Sequence, residues 1–119
     1  MTAEIISVGT ELLLGNILNT NAQYLSRELA ELGITVRRQS TIGDNHGRLA
    51  DFVNEAKQRC DLLVFTGGLG PTYDDMTKET VAGVFGLALE YHPEVMEEIQ
   101  QYFDRVFHRP MPACNRQQA

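Results

Sequence analysis

Tryptophan is absent from this chain, and cysteine occurs only twice, at Cys60 and Cys114. Two thiols without a C-x-x-C spacing make neither a disulfide framework nor a redox motif. They read as one small buried residue and one semi-exposed thiol. Positive charge is also scarce: ten Lys and Arg stand against sixteen Asp and Glu, a net charge of −6. Nucleic-acid binders usually show a basic patch, so no nucleic-acid partner is expected. A nucleotide ligand remains compatible, because a metal and backbone amides can neutralise phosphates locally. No apolar run approaches the roughly 20 residues of a membrane span. Met1-Thr2-Ala3-Glu4 lacks the basic and apolar regions of a signal peptide. No membrane partner is therefore expected, and the cytoplasm is the expected compartment. Repeats, linkers and low-complexity tracts are missing as well. What is present is a chain of 119 residues, 43% of them apolar, which is expected to form one domain, 1–119, with a real core.

The apolar pattern alternates between strand-like and helix-like periods. Glu4-Ile5-Ile6-Ser7-Val8 reads as a first strand, broken by Gly9, and Gly9 to Gly15 as a loop with an apolar middle. Asn19-Thr20-Asn21 offers helix-capping side chains. Ala22, Leu25, Leu29 and Leu32 then share one helix face, which Gly33 ends. Ile34 to Ile42 alternates as a second strand with one wet face, placing it near an edge. Gly43-Asp44-Asn45 is a turn, and Leu49, Phe52, Val53 and Ala56 form the stripe of a second helix. Leu62 to Thr66 is a short apolar run expected to be a buried parallel strand. Thr77 to Phe85 reads as a short helix weakened by Gly83, and Leu87 to Tyr91 as a short extended piece. Pro93 opens a further helix, with Met96, Ile99, Phe103 and Val106 toward the core and Arg109-Pro110-Met111-Pro112 ending it. This order predicts an α/β fold, a three-layer αβα sandwich on a mostly parallel sheet.

In such sheets ligands sit beyond the carboxyl ends of the strands. Three loops fall there, Gly9–Gly15, Gly43–Asn45 and Gly67–Asp75, and each carries glycine and a carboxylate: Glu11, Asp44 and Asp74-Asp75. The third is the densest. Gly67, Gly68 and Gly70 let backbone N–H groups approach an anion without Cβ interference, and the aspartates can hold the metal that such an anion brings. It is neither a P-loop, since no Gly-Lys-Ser/Thr closes it, nor a dinucleotide fingerprint, since Tyr73 replaces the third glycine. Asp75 also suits the cap of the helix near Thr77. A cap accounts for one aspartate but not two in succession, which favours a ligand or metal role for Asp75 and leaves both roles open for Asp74. Asp44 has simple turn chemistry as its alternative, and Glu11 a solvated loop charge. The hydroxyls of Thr10, Thr66 and Thr72 could serve a phosphate or the local backbone. His46, His92 and His108 show no metal-ligand spacing and read as surface residues.

Ala3 to Gly15, Asn19-Thr20-Asn21, Gly43-Asp44-Asn45 and Thr66-Gly67-Gly68-Leu69-Gly70-Pro71-Thr72 with Asp74-Asp75-Met76-Thr77 closely resemble the N-terminal domain of the CinA family, within the wider molybdopterin-binding family. The resemblance covers nearly the whole chain. It implies a three-layer α/β fold, homo-oligomers as a partner state, and a pocket for a pterin- or nucleotide-type ligand. It further implies metal-dependent hydrolysis of ADP-ribose or related nucleotide diphosphates, with Mg²⁺, Mn²⁺ or Co²⁺. A non-catalytic pterin- or nucleotide-binding module is the alternative. The adenylyltransferase relatives' ligand pattern falls on Gly67, Gly68, Gly70, Asp75 and Thr77, with the other two acids at Asp44 and Glu11. The expected ligand-binding set also takes in Gly9, Thr10, Thr66, Pro71, Thr72 and Asn115. Asp44, Asp74 and Asp75 are the expected metal ligands, and Asp44, Asp75 and Glu11 the expected catalytic groups. Near its end the chain reads Cys114-Asn115-Arg116-Gln117-Gln118-Ala119, where the family usually has Asn-Asn-Arg-Lys-Gln-Ala. A cationic phosphate contact is thus not expected at Gln117. The domain is expected to be incomplete at its C-terminal end, where the family continues through further strands, and to lack the separate deamidase domain of full-length relatives.

Overall fold

The computed structural model describes residues 1–119. Strand β1 (Thr2–Val8) lies in the middle of a three-stranded parallel sheet, flanked by β2 (Thr35–Ile42) and β3 (Leu62–Thr66). Its central position accounts for its sequence. A strand covered on both faces gains from burying every residue, and β1 is buried from Ala3 to Val8. Ala3 and Ile5 pack on Ala22 and Leu29 of helix α2 (Thr20–Glu31). Ile6 and Val8 point the other way, onto Leu49, Val53 and Ala56 of helix α3 (His46–Ala56). Val81 and Val84 of helix α4 (Thr77–Val84) add to that second face. The result is the expected αβα sandwich. Each fully buried Leu, Ile or Val among them, removed from water, contributes about 1.5–3 kcal/mol.

The period-2 alternation of β1 also takes Glu4 inside, where it is 2% exposed. Arg59, just past α3, meets it with two parallel hydrogen bonds, Nε to Oε2 at 2.7 Å and Nη2 to Oε1 at 2.9 Å. A buried carboxylate persists only with such pairing. The register of β1 on β2 shifts between Ala3 and Glu4, and Arg38 then comes within 3.8 Å of the same carboxylate.

Several boundaries differ from expectation. Gly9 to Gly15 is not all loop: Thr10–Leu13 forms a single helical turn, α1. Leu32 lies beyond α2, which ends at Glu31, and the turn through Gly33 (φ +78) leaves it 74% exposed. Strand β3 is an edge strand, half-buried along its length, because no fourth strand covers its free side. Leu87–Tyr91 finds no partner strand and forms no regular structure. Helix α5 (Pro93–Tyr102) starts at Pro93 as expected, but it has no buried residue. It continues into a π-helical turn (Phe103–Phe107) and packs on that turn and on the 3-10 segment Ala113–Gln118. Phe103 is buried there, whereas Val106 is 45% exposed. No helix is long and apolar enough to cross a membrane.

Candidate functional site

The three glycine-bearing loops leave the carboxyl ends of β1, β2 and β3, as expected. The first two are clasped to each other. The Asp44 amide donates to Thr10 Oγ1 at 3.0 Å, and the Thr10 amide donates back to Asp44 Oδ2 at 3.3 Å. The Gly9 amide donates to the carbonyl of Ile42 at 2.9 Å. Glu11 folds back over the chain, so closely that a Cβ on Gly9 would come within 2.6 Å of its Oε1. Asp44 and Glu11 are both exposed.

The third loop is held by its own side chains. Gly67 (φ +86) and Gly68 (φ +66) adopt the left-handed conformation that glycine alone takes without strain. Neither has room for a side chain. A Cβ on Gly67 would lie 2.1 Å from the carbonyl oxygen of Val8, and one on Gly68 would lie 2.1 Å from Thr77 Oγ1. Thr77, buried at the start of α4, donates its hydroxyl to the carbonyl of Gly67 at 2.8 Å. Its amide donates to Gly68 O at 3.2 Å.

Asp75 turns out not to cap α4, whose N-cap is Met76. Its carboxylate instead accepts from the Thr72 hydroxyl at 2.6 Å and from the Thr72 amide at 2.9 Å. These bonds, led by the hydroxyl and joined by the Gly70 amide, outweigh partial burial and hold its carboxyl below the usual aspartate range. Asp75 therefore shapes the Gly70–Asp75 turn. Asp74 is exposed beside it, and Pro71 is half-buried. No three of the His, Cys, Asp and Glu side chains converge as a group able to hold a metal ion. The acids of the loops, Glu11, Asp44, Asp74 and Asp75, thus share one end of the sheet without forming a carboxylate cage.

Between the first and third loops lies a cleft of about 140 Å³, lined by Glu11, Leu12, Asn19, Asn21, Thr66 and Gly67 among others. Sequence reasoning missed two of these as site residues. Asn19 caps α2 by accepting from the Ala22 amide at 3.2 Å, and its amide nitrogen donates to Ser7 Oγ at 2.8 Å. Asn21 donates to Thr66 Oγ1 at 3.0 Å. Their signal lay in the Asn19-Thr20-Asn21 run, which carries more amides than one helix cap uses. Asn115 is set apart from the loops. It is buried, bonded through Nδ2 to Gln118 Oε1 at 2.7 Å, and lines a different cavity against α5. Gln117 and Gln118 are the C-terminal residues that reach the third loop, Gln117 donating from Nε2 to the carbonyls of Gly70 (3.4 Å) and Thr72 (3.3 Å) and Gln118 from Nε2 to the carbonyl of Leu69 (3.4 Å).

Comparison with known proteins gives the family and agrees with the fold. Residues 4–118 match the family described as "Probable molybdopterin binding domain". The structure resembles that of the protein CinA, of unknown function, from Thermoplasma acidophilum: TM-score 0.84 and 31% identity, over 98% of this chain and 68% of that one. The chain belongs to the molybdopterin-binding domain family, in its CinA branch. Family members of Caldicellulosiruptor bescii and Geobacillus kaustophilus, which bear the name competence-damage inducible protein, are 55% and 54% identical over all of this chain. The chain spans only 29% and 28% of their lengths. MoaB of Thermus thermophilus, a molybdopterin biosynthesis enzyme, shares the fold at 21% identity, with a TM-score of 0.65 over 97% of this chain and 70% of that one.

Proposed function

We propose that this CinA-type domain binds a phosphorylated pterin or nucleotide, with the phosphates at the carboxyl ends of β1 and β3. The observation that carries the reading is the pair Gly67-Gly68. Both are left-handed, and the room a Cβ would need is taken by Val8 O and Thr77 Oγ1, which fixes beside the cleft a side-chain-free turn of the kind whose amides can approach an anion. Thr66 and Gly67 line the adjoining cleft. At about 140 Å³ it is well below the roughly 300 Å³ of a whole small-molecule pocket, and suits the phosphate part of a ligand. Gly9, Thr10, Thr72 and Thr77 serve mainly to fix the loops. Binding of pyrophosphate by calorimetry tests the reading: Gly68→Ala is expected to abolish it, and a folded wild-type chain that binds no pyrophosphate refutes it.

Hydrolysis of a nucleotide diphosphate such as ADP-ribose is the second reading, favoured by one observation. Asp44 engages only Oδ2 within the protein and is exposed at the ligand end of the sheet. Mg²⁺ is commonly held by one or two carboxylates together with substrate phosphates, and Mn²⁺ and Co²⁺ also suit oxygen donors. A metal arriving with a diphosphate would be held by Asp44 and by Asp74 or Asp75, with the phosphates supplying the remaining donors. Such a metal would activate water and offset charge on the leaving phosphate. Glu11, folded over Gly9, is the one carboxylate of the first loop and would be the candidate base. AMP release from ADP-ribose that requires metal and is lost in Asp44→Ala supports this reading. Binding that survives chelator without product supports the first reading alone.

A further inference from the structure

Five carbonyls of the third loop are held by donors from outside it. Thr77 takes two of them, Gly67 O with its hydroxyl at 2.8 Å and Gly68 O with its amide at 3.2 Å. The rest are held from the C-terminal segment. Gln118 Nε2 donates to Leu69 O at 3.4 Å, and Gln117 Nε2 donates to Gly70 O at 3.4 Å and to Thr72 O at 3.3 Å. These side chains are themselves aimed. Buried Asn115 donates from Nδ2 to Gln118 Oε1 at 2.7 Å, which leaves the nitrogen of that amide for the loop. Lys78, in the first turn of α4, donates to the backbone carbonyl of Gln117. The 3-10 segment is thereby pinned between α4 and the glycine loop.

Holding a carbonyl also aims an amide. Across a trans peptide the C=O of one residue and the N–H of the next point in opposite directions, and every peptide bond of the chain is trans. The carbonyls held by Thr77, Gln117 and Gln118 therefore fix the amides of Gly68, Leu69, Gly70 and Tyr73 on the far side of their peptide planes. The Gly70 amide serves the Asp75 carboxylate. Those of Gly68, Leu69 and Tyr73 donate to no group of the protein. A carbonyl without its donor is free to swing toward an anion and repel it. The Gly70 carbonyl is the worst case, because Pro71 follows it and offers no N–H in exchange.

We infer that Gln117 and Gln118 are positioning residues for the anion: they hold the carbonyls of Leu69, Gly70 and Thr72 away, so that the loop offers amides and not oxygens. Asn115 acts at one remove, through Gln118. The inference rests on the proposed phosphate-binding reading and deepens it, because it assigns the shape of the glycine loop to the C-terminal segment.

The test is calorimetric binding of pyrophosphate to wild type, Gln117→Met and Gln118→Met, with the loop amides followed by ¹H–¹⁵N NMR. Methionine keeps the length of glutamine and gives up the donor. Each variant is expected to bind pyrophosphate about 3–10-fold more weakly, the scale of a lost hydrogen bond. The second readout is taken at saturation, where affinity no longer matters. There the Tyr73 amide resonance should move downfield in wild type and lose that movement in Gln117→Met. The Gly68 and Leu69 amides, fixed by Thr77, should move in all three proteins. Gln117 is exposed, so Gln117→Met keeps the inference testable if Gln118→Met does not fold. Equal affinity in wild type and variants overturns the inference and spares the phosphate reading. So does weaker binding in which the Tyr73 amide of Gln117→Met still moves as in wild type. A folded wild type that binds no pyrophosphate overturns the phosphate reading, and the inference with it.

Discussion

Replacing Gly67 by alanine separates two costs that usually occur together. Gly67 and Gly33 have nearly the same backbone angle, φ +86 and φ +78. An added Cβ at either position pays for the left-handed conformation, about 1–2 kcal/mol. At Gly33 nothing lies within 4 Å of the new atom, so Gly33→Ala should cost only that. At Gly67 the Cβ would sit 2.1 Å from the carbonyl oxygen of Val8 and 3.1 Å from its carbonyl carbon. These are backbone atoms of the central strand, which cannot rotate away. Relieving the overlap means moving the end of β3 off β1 or twisting the loop, at a further ~1–3 kcal/mol typical of overpacking. Gly67→Ala is thus expected to cost about 2–5 kcal/mol in total, measured by urea denaturation beside wild type and Gly33→Ala. Costs for the two variants equal to within about 0.5 kcal/mol, the scale of an ordinary surface substitution, would refute the claim that Val8 closes the space above Gly67.

Three further outcomes follow from other contacts. Asp75 has its carboxyl held below the ordinary aspartate range by the Thr72 hydroxyl and amide, so its folded form favours the ionised state. Its contribution is full above about pH 4, the ordinary aspartate value, and is lost as pH falls through the lower folded value. The Thr72 amide resonance should therefore stay constant from neutral pH to about 4 and move below it; a midpoint at or above the ordinary value contradicts the arrangement. Leu49→Ala, at a fully buried position packed on Ile6 and Val8, should lower unfolding free energy by about 2–5 kcal/mol, read from denaturant titration. Asn19→Ala removes the α2 cap and leaves Ser7 Oγ without its donor, and should cost about 0.5–2 kcal/mol on the same assay.

The fold was legible because its main signals are local. Short apolar runs marked β1 and β3, alternation marked β2, helical stripes marked α2 and α3, and glycine placed the three loops at one end of the sheet. What stayed hidden depended on partners distant in sequence. Arg59 is 55 residues from Glu4, so a buried ion pair looked like an ordinary strand start. The run Leu62–Thr66 is apolar enough for a central strand, but only the sheet order reveals it as an edge. Asp75 was read as a cap or a ligand because both use a carboxylate before a helix. Its actual partner, Thr72, lies three residues back, and its hydroxyl suits a phosphate or the local backbone equally in sequence. The stripe through Val106 failed because a π-helical turn changes the helical period after Tyr102. Asn115 and Gln117 were separated only by which way the 3-10 segment turns each side chain.

The central place of β1 has a consequence for how the chain folds as it is made. The first strand synthesised pairs with β2 through contacts about 33 positions apart, as in Thr2 with Thr35. Its other side waits for β3, about 60 positions on, as in Ile5 with Val64. Contacts that distant close slowly, because a longer loop must be ordered before the pairing rewards it. The β1–α2–β2 unit can therefore assemble early on a ribosome while one side of β1 stays open. The glycine loop after β3, which leans on Val8, takes its shape only when β3 docks on β1. If the proposed anion binds there, its binding would report that docking and favour it.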